Sequence, residues 1–190
     1  MTEDTQVIRT QELPVLDLGG FLSGSDTDLE GLAEELRSAA GEFGFFFVKN
    51  HGISDELISK VFTETKRFHD QSMDEKLKLT IDDNQRGYIR PKATLIKHST
   101  YNENTNFDSN ETIVFATEYG EDNPYRKVGK RFYGDNQWPD KLPGFGTVVQ
   151  EYMNAMTELG KATLPIWARA LGLERNFFAS YFENNHTYFR

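Results

Sequence analysis

The chain has 190 residues, a net charge of −9, 37% apolar and 13% aromatic side chains, and no Cys. That suits a single globular domain burying ~70% of its unfolded surface, and it argues against disorder. Disulfides and thiolate metal sites are excluded too, and the acidic balance argues against a nucleic-acid groove or an anionic membrane surface as partner.

A polar acidic start, Met1-Thr2-Glu3-Asp4-Thr5, is unlike a signal peptide, and no apolar run approaches the ~20 residues of a membrane helix. With the missing Cys, this fits a reducing, cytoplasmic setting. Residues 1–12 read as a flexible polar arm. Leu13–Leu18 predicts a strand whose Pro14 sits where a missing N–H is tolerated. Gly19-Gly20 and Ser23-Gly24-Ser25 predict a loop. Thr27-Asp28-Leu29-Glu30 has capping-box spacing, and Leu29, Leu32, Ala33, Leu36, Ala39, Ala40 and Phe43 follow at helical period until Gly44 stops the helix. Phe45–Val48 then predicts a short buried strand that ends in the Asn50-His51-Gly52 turn.

Ser54 caps a second predicted helix with Leu57, Ile58, Val61, Phe62, Thr65 and Phe68 on its apolar face. Ser72-Met73-Asp74-Glu75 opens a shorter one running to Leu79. Arg86–Pro91 reads as a turn or an irregular strand. Residues 99–110 form a polar loop of the length that is often functional. Ile113–Ala116 is a strand, and 118–142 is irregular. A long helix is expected from Phe145 to Leu171, kinked by Pro165 near Lys161-Ala162 and ended by Gly172. Its apolar face includes Val149, Tyr152, Met156, Ile166 and Trp167. A last short helix follows over Glu174–Phe182.

The chemistry is sparse. The four His are His51, His69, His98 and His186, and the residues two places on are Ile53, Gln71, Thr100 and Tyr188. None is acidic, so the His-x-Asp/Glu half of a facial iron triad is absent, as is a zinc-protease helix. Gly19-Gly20 lacks the helix-start context of a phosphate loop. His51 reads as a turn residue, His69-Asp70 as a solvated helix end, and His98 and His186 as surface. Arg86, Tyr88 and Arg90 sit together in a Gly/Pro-shaped segment. Two guanidinium forks and a phenol there could hold a substrate carboxylate. The alternative, a packed Tyr88 with two solvated Arg, stays open. Glu111 either orients one of those Arg or is a plain surface carboxylate.

Several stretches, taken in order, resemble the isopenicillin N synthase-like family of iron(II) oxygenases, most of which also use 2-oxoglutarate. They are Leu13–Leu18, Gly44–Ile53, the Phe68–Lys76 helix with its Glu-Lys pair, Gly87-Tyr88, Glu121-Asp122-Asn123-Pro124, Asn136–Asp140, Leu171-Gly172-Leu173 and Phe177-Phe178. The resemblance spans residues 13–190. It implies an α+β fold: a helical N-terminal region with short strands, over 13–183, flanking a double-stranded β-helix (jelly-roll) core of which only the start, 184–190, is present. The family's His-x-Asp pair, distal His and Arg-x-Ser pair would all follow Arg190, so the resemblance implies no catalytic and no metal residue in this chain.

Fe(II) and 2-oxoglutarate are thus expected in a longer enzyme that oxidises a small organic molecule by hydroxylation, desaturation or ring closure, and neither is expected on this chain alone. The implied partners are the missing β-helix core and a small-molecule substrate, with no nucleic acid and no membrane. In the enzyme for which the family is named, an Arg just before the Gly-Tyr step contacts the substrate carboxylate. Gln85 holds the closest register here and Arg86 is one place on, so Arg86 is its expected substitute, with Tyr88 at the matching Tyr. The other reading is a stand-alone, non-catalytic interaction module derived from such an enzyme.

Overall fold

The computed structural model describes residues 12–25, 27–95 and 107–190. His98 and most of the polar loop at 99–110 lie outside the described residues. The described chain is α+β and forms two compact units. One comprises the described parts of Met1–Gly52 with Glu158–Glu183, the other those of Ile53–Thr157 with Asn184–Arg190.

In the first unit β1 (Val15–Asp17) leads through a four-residue α1 (Gly19–Leu22) to α2 (Thr27–Glu42) and β2 (Phe47–Lys49). Gly19-Gly20 therefore starts a helical turn rather than a loop, and Asp17 Oδ1 accepts from Gly19 N at 3.0 Å to seed it. Helix α2 begins at Thr27 itself, whose hydroxyl meets Ser25 Oγ at 2.9 Å. The strands β1 and β2 pair in parallel with Leu16 opposite Val48. Leu16, Leu18, Leu29, Leu32, Leu36 and Ala39 form a core with Ile166 and Ala170 from the last long helix. Arg37 Nε ties α2 to that helix by donating to Ala170 O at 2.7 Å.

The expectation of a buried second strand fails. Phe45 is 58% exposed and Phe47 57%, and all three β2 residues are exposed. Only Phe46 turns inward, against the core and within 6.2 Å of the Trp167 ring. A continuous apolar run signals a strand buried on both faces, and here nothing described covers the outer face. Asn50 (φ 54°) and Gly52 (φ 80°) then make the expected turn, with Asn50 Nδ2 donating to Asp17 Oδ1 at 2.8 Å.

The second unit holds α3 (Asp55–His69), α4 (Met73–Leu77), β3 (Gly87–Ile89), β4 (Thr112–Ala116), α5 (Pro124–Lys127) and β5 (Tyr188–Phe189). Both serine caps form: Ser54 Oγ accepts from Leu57 N at 3.2 Å and Ser72 Oγ from Glu75 N at 3.4 Å. Leu57, Val61 and Phe68 point inward as the period requires, but Phe62 is 69% exposed. The segment expected to be a turn or an irregular strand is regular. β3 pairs antiparallel with β4, and β4 with β5, giving the order β3-β4-β5. Phe68, Tyr88, Phe115, Phe145, Val149 and Met153 form this unit's core.

Helix α6 (Phe145–Ala170) contributes its first half to the second unit and its last half to the first, and it is unbroken through Pro165. Met153 rather than Met156 is its buried methionine. It ends in a Schellman pattern: Gly172 has φ 72°, and Leu173 N donates to Ala168 O at 2.8 Å. Of the short helix expected over Glu174–Phe182, a single 3-10 turn at Ala179–Phe182 exists.

Candidate functional site

Arg86, Tyr88 and Arg90 alternate along β3 and its exit, so the strand sends Arg86 and Tyr88 inward. Neither presents its polar group to solvent. Arg86 is fully buried, and its fork donates to Ala116 O (3.2 Å), Asn136 Oδ1 (3.0 Å), Thr117 O (2.9 Å) and Phe132 O (2.9 Å). Among the described residues no carboxylate forms an ion pair with it. Burial pulls its pKa below the ordinary value, against the more distant Glu118, Asp82 and Asp135 charges. Its Nε has no hydrogen-bond partner among the described residues. The expected substrate fork is thus occupied internally: Arg86 ties the end of β4 to the 132–136 loop. Phe132, a bulky residue held at φ 75°, supplies one of the carbonyls.

Asn136 completes the tie. Its amide accepts from Ala116 N and donates to Ala116 O, both at 2.9 Å, so the side chain imitates one more strand residue at the end of β4. Gln137 Nε2 donates to Arg86 O (2.7 Å) and Thr80 O (3.1 Å). Trp138 stacks on Phe115 at 4.7 Å and 14°. The Asn-Gln-Trp-Pro segment is therefore a clasp, a role that sequence reasoning did not assign. The signal available was an Asn and a Gln beside Trp-Pro in an otherwise irregular stretch. Gly87 lets the clasp close: with φ 118°, any Cβ would lie 2.4 Å from Leu79 O and 2.5 Å from Gln137 Nε2.

Tyr88 is 1% exposed and its hydroxyl donates to Glu111 Oε2. Lys76, also buried, donates to both Glu111 oxygens (3.1 and 2.8 Å) and to His69 O (3.0 Å). His69 Nδ1 lies 3.2 Å from Glu111 Oε1, at ion-pair distance but without an aligned hydrogen bond. Glu111 thus orients neither Arg, and it is no plain surface carboxylate. It anchors Lys76 and Tyr88, and His69 is half-buried beside it rather than solvated. Burial raises the Glu111 pKa, but the Lys76, Tyr88 and His69 contacts outweigh it and leave the carboxyl below its ordinary range. Burial, reinforced by the Glu111 bond and charge, pushes the Tyr88 phenol well up.

Arg90 alone of the three is exposed, where the chain turns toward Lys92 and Asp108; Lys92 N donates to Asp108 O at 2.8 Å. His186, in the loop before β5, is exposed as expected, and Tyr119 engages it there. Their rings are parallel at 5.8 Å, and Tyr119 Oη is 2.8 Å from His186 Nδ1. Partial desolvation, and after it the Arg86 charge, lowers the His186 pKa from its ordinary value. Among the described residues no three His, Asp or Glu side chains converge as a metal site, so a facial iron triad does not fit them.

Short strands bounded by helices, with polar groups that satisfy one another around a clasp, define an α+β region. Comparison with known proteins places it. Residues 13–141 match the family described as non-haem dioxygenase in morphine synthesis, N-terminal. The chain belongs to that family. It is 34% identical to kihadalactone A synthase LFS of Citrus sinensis over 92% of this chain and 51% of that protein. It is 32% identical to gibberellin 20 oxidase 4 of Arabidopsis thaliana over 94% of this chain and 46% of that protein. The chain spans about half the length of these curated relatives. In fold it is similar to a 2OG-Fe(II) oxygenase family protein of Caulobacter crescentus, with TM-score 0.72 and 21% identity over 90% of this chain and 52% of that one. It is also similar to a dioxygenase for auxin oxidation in rice, with TM-score 0.57 and 21% identity over 85% and 46%. Among the described residues no helix is long and apolar enough to cross a membrane.

Proposed function

We propose that this chain is the N-terminal portion of a longer non-haem Fe(II), 2-oxoglutarate-dependent oxygenase that oxidises a small organic substrate. In this reading it supports the β-helix core, frames the mouth of the substrate pocket and is inactive alone. The observation that carries the reading is the family match over residues 13–141 to an N-terminal region, with relatives about twice as long. Support comes from apolar side chains left at the surface, such as Phe45, Phe47 and Phe62, which a further domain would cover. The protein groups that would hold iron and 2-oxoglutarate belong to the other part, and the metal there would activate O2.

Within this division of labour, Arg86 and Tyr88 are positioning residues. They fix β3 so that Arg90 and the loop beside Asp108 face the substrate. The exposed Arg90 fork then takes a substrate carboxylate or another anionic group. The test is to express the chain joined to the natural sequence that follows it and to measure Fe(II)-, O2- and 2-oxoglutarate-dependent oxidation of small acids. Activity that needs both parts, with Arg90→Ala raising KM and leaving kcat near its original value, is the expected result. A natural reading frame without a His-x-Asp pair would defeat the proposal. A fully folded, monodisperse 190-residue chain with no oxidase activity in any longer form would favour the interaction-module reading.

A further inference from the structure

Beside β1 lies a groove of about 600 Å³, walled by Pro14–Leu16, by Gly31, Glu35 and Ser38 of α2, and by Phe43 just after that helix. Its size falls within the ~300–1,000 Å³ typical of ligand sites. No β2 residue lines it. In the parallel ladder the even residues of β1 face β2: Pro14 O accepts from Phe47 N at 2.9 Å, and Leu18 N donates to Lys49 O at 3.0 Å. The Val15 N–H and C=O therefore point to the other edge, and among the described residues nothing bonds them. Val15 itself is 51% exposed. A strand edge with free donors and acceptors, next to a groove, is a template for one more strand.

The far wall sets the chemistry of such a strand. Gly31, Glu35 and Ser38 recur at helical spacing on one face of α2, and Glu34 lines the same groove. Glu34 is held by Arg37, but Glu35 has no ion pair among the described residues. The floor is apolar, made by the buried Leu16 and Ala39. A side chain entering from an added strand meets apolar surface first and a carboxylate beyond it, which suits the aliphatic stem and charged head of Lys or Arg. The alternate side chains of that strand would lie over the exposed Val15 face. We infer that the β1 edge and the α2 groove form a docking site for an extended peptide segment in which basic and apolar residues alternate. The site is independent of the oxygenase reading, because none of its residues takes part in the clasp or in the Arg90 loop.

The test uses the whole 190-residue chain and a fluorescein-labelled hexapeptide of three Lys-Val repeats, with a Glu-Val hexapeptide as its counterpart. Fluorescence anisotropy reads affinity, and hydrogen exchange reads the Val15 and Asp17 amides. The expected result is saturable binding of the basic peptide with slowed exchange at Val15. Gly31→Arg, where an added Cβ meets open space, keeps the helix and blocks the groove wall, so it should weaken binding at least tenfold. Glu35→Lys should weaken the basic peptide by about tenfold and strengthen the acidic one by a similar factor. The inference is overturned if Gly31→Arg leaves affinity unchanged, or if binding leaves Val15 exchange unaltered. It is also overturned if Val15 is already protected without peptide, as self-occupancy by the chain would do, or if light scattering shows a dimer that Gly31→Arg dissolves.

Discussion

Arg86 is a buried cation held by carbonyls and one amide instead of a carboxylate. Removing it leaves the carbonyls of Ala116, Thr117 and Phe132 in a dry environment, so Arg86→Ala should cost about 3 kcal/mol of stability in urea denaturation. Arg86→Lys recovers only part of that, because one ammonium cannot span acceptors that a planar fork reaches. Gly87→Ala should be at least as damaging, since its Cβ would collide with the Leu79 carbonyl at φ 118°. Glu111 adds a pH dependence whose sign is fixed. Its folded pKa lies below the ordinary 4.5, so its stabilisation is complete above that value and is lost as pH falls through the lower folded pKa. Tyr88 acts at the other limit. Its folded pKa is raised, so stability declines as pH rises past the unfolded phenol's 10.0. In Glu111→Gln the acid slope should flatten, and the stability gap to the parent chain should be wide at pH 7 and narrow toward pH 3. An equal gap at both pH values would show that Glu111 is not the titrating group.

Among the elements, α6 and the stop just beyond it each offer a glycine, and substitution of the two by Ala should act in opposite directions. Gly160 sits in regular helix with open space around an added Cβ, so Gly160→Ala should stabilise by up to ~1 kcal/mol. Gly172 closes the same helix at φ 72°, and Gly172→Ala should destabilise by about 1 kcal/mol. Thermal unfolding of the two variants reads both signs. Helix ends of this kind were legible in the sequence because their causes are local: Ser54, Ser72 and Gly172 all act within one turn. The Ile113–Ala116 strand was legible for the same reason, as an apolar run between polar stretches. What was not legible depends on distant partners. Phe45–Val48 has the composition of a buried strand, but burial is decided by what covers it, and that information is not in those residues. The Arg86 fork looked available to a ligand because nothing within a few residues of it reveals that acceptors at Ala116, Phe132 and Asn136 converge there. Glu111 and Lys76, 35 positions apart, meet for an equally non-local reason.

At the scale of the molecule, the question is whether the chain can hold iron unaided. A facial site needs two imidazoles and a carboxylate converging with open positions left. His69 stands 3.2 Å from a carboxylate, but that carboxylate, Glu111, is already bound by the Lys76 ammonium and the Tyr88 hydroxyl. A divalent cation entering there would have to displace a buried ammonium that lies 3.1 Å from Oε1, the oxygen facing His69, and 2.8 Å from Oε2, which costs both the ion pair and the charge repulsion. His186 offers a ring, but its Nδ1 is engaged by Tyr119, and the buried Arg86 guanidinium adds a field of the wrong sign for a cation. Calorimetric titration of the purified chain with Fe(II) under anaerobic conditions should therefore give no stoichiometric binding, whereas the proposed longer enzyme, expressed from the natural reading frame, should bind one ferrous ion per polypeptide. A tight one-to-one site on the 190 residues alone, lost in His69→Ala or His186→Ala, would mean that the metal centre lies in this region and that its role as support for a separate core is wrong.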